Sequence, residues 1–282
     1  MPLPQTFDVA EFVSRILAED LGIGGDVTSL ATIDADARFS AEMNCRQAIV
    51  VAGLDLAAAF FRALDPQVGI EELVRDGDRI QHGAVLMRLS GNARAMLAAE
   101  RSALNTLQHL SGIATLTRSY VDAVTGTGAA LLDTRKTIPG LRLLEKYAAR
   151  MGGATNHRMR LDDGVLIKDN HVAVCGGVAE AVRRARAANT GLQVQVEVDR
   201  IDQIEPALGA GADRLLVDNM DPAKLREAVA LVGGRVPIEA SGGVTLETIR
   251  FLAETGVDYI SVGRITQSAP AVDIGLDYAL TR

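Results

Sequence analysis

The C-terminal half of this 282-residue chain repeats a strand-then-helix unit at a nearly fixed spacing, which restricts its fold more than any other feature. Apolar runs in GLQVQVEVD, DRLLVDNM, VPIEASGGV and VDYISVGRI begin their cores near Val194, Leu215, Pro237 and Tyr259, about 20 to 22 residues apart. Between them lie helix-like spacers such as DPAKLREAVALVGG and TLETIRFLAETG. Each is closed by glycine, which ends a helix because it enters the left-handed conformation without strain. Strands separated by helices in this rhythm form a parallel sheet, so the pattern predicts an α/β architecture. Two earlier runs, AALLDTRK and DGVLIKDNH, fit as strands of the same sheet, and LRLLEKYAARM fits as a helix stopped by Gly152 and Gly153. The repeat covers residues 109–268, well short of the ~250 residues of a full eightfold barrel. An incomplete, open β/α barrel is the expectation.

Upstream the texture changes. FSAEMNCRQAIVVAGLDLAAAFFRAL and RIQHGAVLMRLSG read as strands and a helix joined by turns, which marks a separate α+β domain over residues 1–108, with 269–282 expected to pack on it. A helix from about Ala93 to His109 is expected to join the two. On it Arg101, Asn105 and Gln108 fall at i, i+4 and i+7, and Arg101 lies within one turn of Leu97 and Leu104. That placement suits either a cation snorkelling at a domain seam or one facing a site.

Charge narrows the ligand. The chain has a net charge of −7, no basic tail and no basic-aromatic clusters, which argues against nucleic acid and anionic membranes as partners. It has no run of about 18 uncharged apolar residues, and MPLPQTFDVAEF lacks the features of a signal peptide, so a cytoplasmic location is expected. Cys45 and Cys175 are far apart with no histidine at ligand spacing and read as packing cysteines. Against this background Asp133 to His171 gathers eight Lys/Arg against five Asp/Glu. Lys136 and Lys168, two of only four lysines, stand in its most polar strings, TRK and LIKDNH. A local cationic patch on an acidic protein points to a small, multiply anionic ligand.

In parallel β/α sheets ligands lie beyond the carboxyl ends of the strands. Here those ends carry Arg135, Lys136 and Lys168, then Glu197 and Asp218, then Ser241 and Gly263: cations, carboxylates, small residues. The strings SGGV and VGRI place glycines where backbone N–H groups can approach a phosphate. Glu197 and Asp218, set in apolar strands, would need ribose hydroxyls, Mg²⁺ or an ion pair with Lys136 or Lys168. Arg135, His157 and Arg158 add donors suited to carboxylates. Arg142, Lys146, Arg150 and Arg160 read as solvated charges.

The strings EDLGIGGDVTS, ERSALNTLQHLSGIAT, DTRKTIPGLRLLEKYA, NHRMRLDDGVLIKDNH, VEVD, LLVDNM, EASGGV and SAPAVDIGLDY, in that order, closely resemble the quinolinate phosphoribosyltransferase family. The resemblance implies transfer of phosphoribose from phosphoribosyl pyrophosphate to quinolinate with decarboxylation, assisted by Mg²⁺. It implies an N-terminal α/β sandwich beside an incomplete β/α barrel, and a homodimer, or a hexamer, in which Arg101 is supplied to the partner's site. Arg101, Arg135, His157, Arg158 and Lys168 would hold the quinolinate carboxylates, and Thr134 and Lys136 would meet the phosphoribosyl donor. Glu197 and Asp218 would face ribose and metal, with Lys136 beside them in catalysis. Ser241, Gly242, Gly243, Val262, Gly263 and Arg264 would line the 5-phosphate. The chain departs from the usual pattern in VGRITQS, where the family commonly has a small residue and His in place of Arg264 and Gln267. Two other readings of the same residues are a related molybdenum-transport-associated enzyme and a Schiff-base aldolase acting through Lys168.

Overall fold

The computed structural model describes residue 3 and residues 6–278. They form two compact units: one takes the described residues to Leu116, Leu143–Gly153 and those from Ser268, and the other takes Thr117–Arg142 and Ala154–Gln267. The division falls between Leu116 and Thr117, inside a long helix. Leu143–Gly153, read from sequence as a barrel helix, belongs to the first unit.

The first unit begins with helices α1 (Val9–Leu21) and α2 (Val27–Thr32), each capped by an aspartate, Asp8 and Asp26, that accepts an N–H three residues on. Strands β1 (Arg38–Cys45) and β2 (Ile49–Val50), helix α3 (Leu54–Leu64), strands β3 (Gly69–Glu72), β4 (Arg79–Ile80) and β5 (Val85–Asn92), and helix α4 (Ala93–Val124) follow. The last strand in the chain, β12 (Ile274–Tyr278), returns to complete a four-stranded antiparallel sheet in the order β12-β1-β5-β3. Period-two alternation gives this sheet two unlike faces. Ala41, Met43 and Cys45 with Met87 and Leu89 are buried on one face. On the other, Arg88 stands opposite both Glu42 and Glu71 and bonds them at 2.9 and 3.3 Å. The rings of Phe12 and Phe60 meet edge to face at 6.2 Å between α1 and α3.

Helix α4 does not end near His109 but continues to Val124. Gly112, within it, is a place of close approach. A Cβ there would lie 3.1 Å from Ala271 Cα and closer still to Pro270 O, so the glycine lets the returning C-terminal segment lie against the helix.

The second unit holds β6 (Ala130–Leu132), β7 (Val165–Ile167), α6 (Asp169–Cys175), α7 (Val178–Ala187), β8 (Val194–Val198), α8 (Ile204–Gly209), β9 (Arg214–Asp218), α9 (Pro222–Val232), β10 (Ile238–Ser241), α10 (Ile249–Ala253), β11 (Tyr259–Ser261) and α11 (Arg264–Gln267). All its strand pairs are parallel, in the order β6-β11-β10-β9-β8-β7. The strands wind in sequence from β7 to β11 and then meet β6, which precedes them in the chain. A ring would close by pairing β6 with β7. Among the described residues only the isolated bridge between Leu132 and Thr155 lies along that edge of β6. The barrel is open at this one seam. Strands β8, β9 and β10 start near the positions that the spacing predicts, because each buries an apolar run between helices.

Helix α5 (Arg142–Met151) corrects two readings. Lys146 is fully buried, and Arg150 has a buried Nε and places its guanidinium 5.7 Å from the Tyr147 ring centroid. Neither is a solvated charge. The helix is buried along nearly its whole length, so its polar groups find internal partners: Glu145 meets His109 Nε2 at 3.0 Å, and Tyr147 donates to Asp76 at 2.6 Å. Asp76 also accepts the N–H groups of Gly53 and Leu54 at the start of α3. Burial first, and the Asp76 carboxylate second, push the Tyr147 hydroxyl far above its ordinary range. Arg142 bonds Thr137 and Met159 O, whereas Arg160 is exposed and pairs with Asp162. Among the described residues no helix is long and apolar enough to cross a membrane.

Candidate active site

The carboxyl ends of all six parallel strands open into one cavity of about 840 Å³. Alternation along each strand selects what faces it: Leu166 from β7 and Lys168 just after it, Glu197 from β8, Leu216 and Asp218 from β9, Glu239 and Ser241 from β10, Ser261 from β11 and Gly263 just after it. Thr134, Arg135, Lys136, His157, Arg158, Gly242, Gly243 and Arg264 complete the predicted set around it. Val262 is the exception in this unit. Flanked by two inward residues, it points the other way, is 2 % exposed, and donates its N–H to Leu132 O at 3.0 Å. It does not line the cavity. Arg101 is an exposed residue on α4 of the first unit and is not a lining residue either.

The cationic side is crowded. Burial, and then the charge of Arg135, hold the Arg158 guanidinium below its ordinary pKa, while its Nη1 donates to Gly164 O at 2.8 Å. Arg135 has a buried Nε with no hydrogen-bond partner. Two guanidiniums pressed together with a donor to spare suit a bound anion, which would supply the missing acceptor and relieve the repulsion.

Below them lies a buried carboxylate that the sequence reading overlooked. Glu239 is 0 % exposed and has Arg214 Nη2 at 2.8 Å, Gln195 Nε2 at 2.8 Å and His157 Nε2 at 3.3 Å. Burial pushes its pKa upward, but His157 and then Arg214 outweigh burial and hold it below the ordinary glutamate value. Arg214 is itself stacked 3.9 Å from the Tyr259 ring centroid. His157 Nδ1 accepts the Arg158 N–H at 2.7 Å, which assigns the ring proton to Nε2, the nitrogen facing Glu239. Asp133, also fully buried, secures the same turn by accepting from His157 N at 2.8 Å and Asn156 Nδ2 at 2.6 Å. Glu239 stands two residues before Ser241 in β10, so strand alternation sets it on the same face.

Glu197 pairs with Lys168 at 2.6 Å, one of the two ion pairs open to it on sequence. Lys168 Nζ is thereby engaged by a carboxylate rather than lodged in an apolar pocket, which is not how a Schiff-base lysine is activated. Asp218 is held by Asn219 Nδ2. Lys136 is shaped by its neighbours: its N–H bonds Thr134 Oγ1 at 3.0 Å, its carbonyl accepts from Thr266 Oγ1 at 2.8 Å, and its Cδ lies 2.8 Å from where a Cβ on Gly263 would stand. Gly242, at φ +94°, has no room for a side chain beside Asn219, whereas Gly243 faces open space.

Among the described residues no group of three or more His, Cys, Asp or Glu side chains is arranged to hold a metal. Glu197 and Asp218 offer a donor set of two hard carboxylates, which suits a Mg²⁺ ion that takes its other oxygens from substrate phosphates and water.

Two family models match the chain: the quinolinate phosphoribosyl transferase N-terminal domain over residues 26–111 and its C-terminal domain over residues 113–277. The nicotinate-nucleotide pyrophosphorylase (carboxylating) of Mycobacterium leprae is 44% identical over 280 residues, covering 96% of this chain and 98% of that protein. A probable enzyme of the same name from Bacillus subtilis is 41% identical over 272 residues, covering 96% and 93%. The solved nicotinate-nucleotide pyrophosphorylase of Francisella tularensis superposes with a TM-score of 0.92 at 39% identity, covering 96% of each chain. That of Ehrlichia chaffeensis gives 0.93 at 39% identity, covering 98% and 100%.

Proposed function

The chain belongs to the quinolinate phosphoribosyl transferase family, and on that footing we propose that it condenses quinolinate with phosphoribosyl pyrophosphate to give nicotinate mononucleotide, pyrophosphate and CO₂, a step of NAD biosynthesis. The observation that carries the reading is the division of one cavity into Arg135, Arg158 and Lys168, then Glu197 and Asp218, then Gly242, Gly243 and Gly263. It matches an acceptor with two carboxylates joined to a sugar with a phosphate.

In this reading Arg135, Arg158 and Lys168 grip the quinolinate carboxylates, with His157 held in place by Glu239. Ser241, Gly242, Gly243 and Gly263 receive the 5-phosphate through backbone N–H groups, and Arg264 adds a cation there. Thr134 and Lys136 sit where the two substrates meet. The bond from the anomeric carbon to pyrophosphate breaks as the pyridine nitrogen bonds that carbon. Glu197 and Asp218 offset the positive charge that develops on the sugar, fixed in position before reaction. Mg²⁺ held by the same two carboxylates and the pyrophosphate would neutralise the leaving group. The bond to the 2-carboxylate then breaks, its electron pair passes to C2 of the pyridinium ring, and C2 takes a proton. Arg101 is proposed to act from the partner of a homodimer.

Incubation with quinolinate, phosphoribosyl pyrophosphate and Mg²⁺ should yield nicotinate mononucleotide and one CO₂ per turnover. Product from nicotinate but not quinolinate would overturn the substrate assignment. Mixing Arg101→Ala with Lys168→Ala protein should restore activity that neither shows alone; hybrids as dead as their parents would rule out a shared site.

A further inference from the structure

Asn219 follows Asp218 at the end of β9 and is one of two non-glycine residues with positive φ among those described, at +55°. Asparagine enters this conformation more readily than other side chains because its amide bonds locally, as Asn189 also does at +48°, so what sets Asn219 apart is what it touches. Asn219 makes three contacts that glycine could not all make. Its Nδ2 donates to Asp218 Oδ2. Its backbone N–H donates to Ser241 O at 2.9 Å. Its side chain fills the space beside Gly242, where a Cβ would stand 2.5 Å from Asn219 Cγ and 2.8 Å from its backbone nitrogen. The pairing of β9 with β10 ends at Asp218 and Ser241, so the Asn219 N–H bond to Ser241 O is the last rung of that ladder and the two side-chain contacts lie just past it.

We propose that Asn219 is a positioning residue that fixes the Asp218 carboxylate and the Ser241–Gly243 turn at a set separation, so that one sugar phosphate spans both. The proposal rests on the reading of Asp218 and the glycine turn as the phosphoribosyl end of the cavity. A missing hydrogen bond to a charged group corresponds to a loss of about tenfold or more. Asn219→Gly, which keeps the backbone conformation, should therefore lose about tenfold in kcat/KM for phosphoribosyl pyrophosphate. Its KM for quinolinate and its unfolding midpoint should stay at wild-type values. Asn219→Asp keeps the shape but sets a second carboxylate against Asp218, so it should lose more than Asn219→Gly. Wild-type kinetics in Asn219→Gly would reduce the residue to a turn former and overturn the proposal. So would equal losses for both substrates with a lowered unfolding midpoint. Calorimetric binding of phosphoribosyl pyrophosphate separates this from the reaction itself. If wild type binds it but makes no product, the assigned reaction falls while the Asn219 effect is still read; if wild type does not bind it, both fall.

Discussion

Glu239 keeps its charge at 0 % exposure because Arg214, Gln195 and His157 converge on it. Removing one partner of a buried pair strands the other, so Glu239→Gln should cost about 3 kcal/mol, read from the urea unfolding midpoint. Its pKa in the fold lies below the ordinary value, so on acidification the unfolded chain takes up the proton first. The stabilisation is therefore complete above the unfolded value, about 4.3, and is lost as pH falls through the lower folded value. The gap between wild type and Glu239→Gln should be full at neutral pH and shrink below about pH 4. Because the same change frees His157, the variant should also bind quinolinate more weakly. A variant with unchanged affinity would confine Glu239 to the barrel's stability.

At the scale of elements, two glycines define tolerances that a Cβ would exceed. Gly112→Ala would press α4 against the segment at Pro270 and Ala271 and should destabilise the protein by about 2 kcal/mol, within the range of overpacked cores. Gly263→Ala would meet the flexible Lys136 side chain instead, and should leave the unfolding midpoint unchanged while lowering turnover. The strands of the second unit were legible because their apolar runs recur at a regular interval and end on chemistry-bearing residues. Helix α4 was legible only as far as His109, where the change of texture placed the join, and its run on to Val124 leaves no such mark. Helix α5 misled for a related reason: amphipathic spacing assigns Lys146 to solvent, but a helix enclosed by other elements hides even its charges. The cations of the site were visible as an excess over an acidic background. Glu239, Asp133 and Asn219 were not, because one buried acid or one left-handed asparagine leaves no mark on composition.

For the whole molecule, two compact units and a cavity confined to the second make ligand binding a selective stabiliser. Quinolinate at a hundred times its dissociation constant should stabilise the folded form that binds it by about 2.7 kcal/mol. Scanning calorimetry should show an upward shift of melting that Lys168→Ala abolishes. A shift that persists in that variant would move the ligand elsewhere. Strand order has a further consequence, for a chain still being made. β1 pairs with β12, and β6 with β11, so an early strand in each unit takes a neighbour from the last quarter of the sequence. A chain made only as far as Tyr259 leaves both strands with an unfilled edge. Until β11 and β12 arrive those two edges are open to other chains, and a pause before they do favours aggregation.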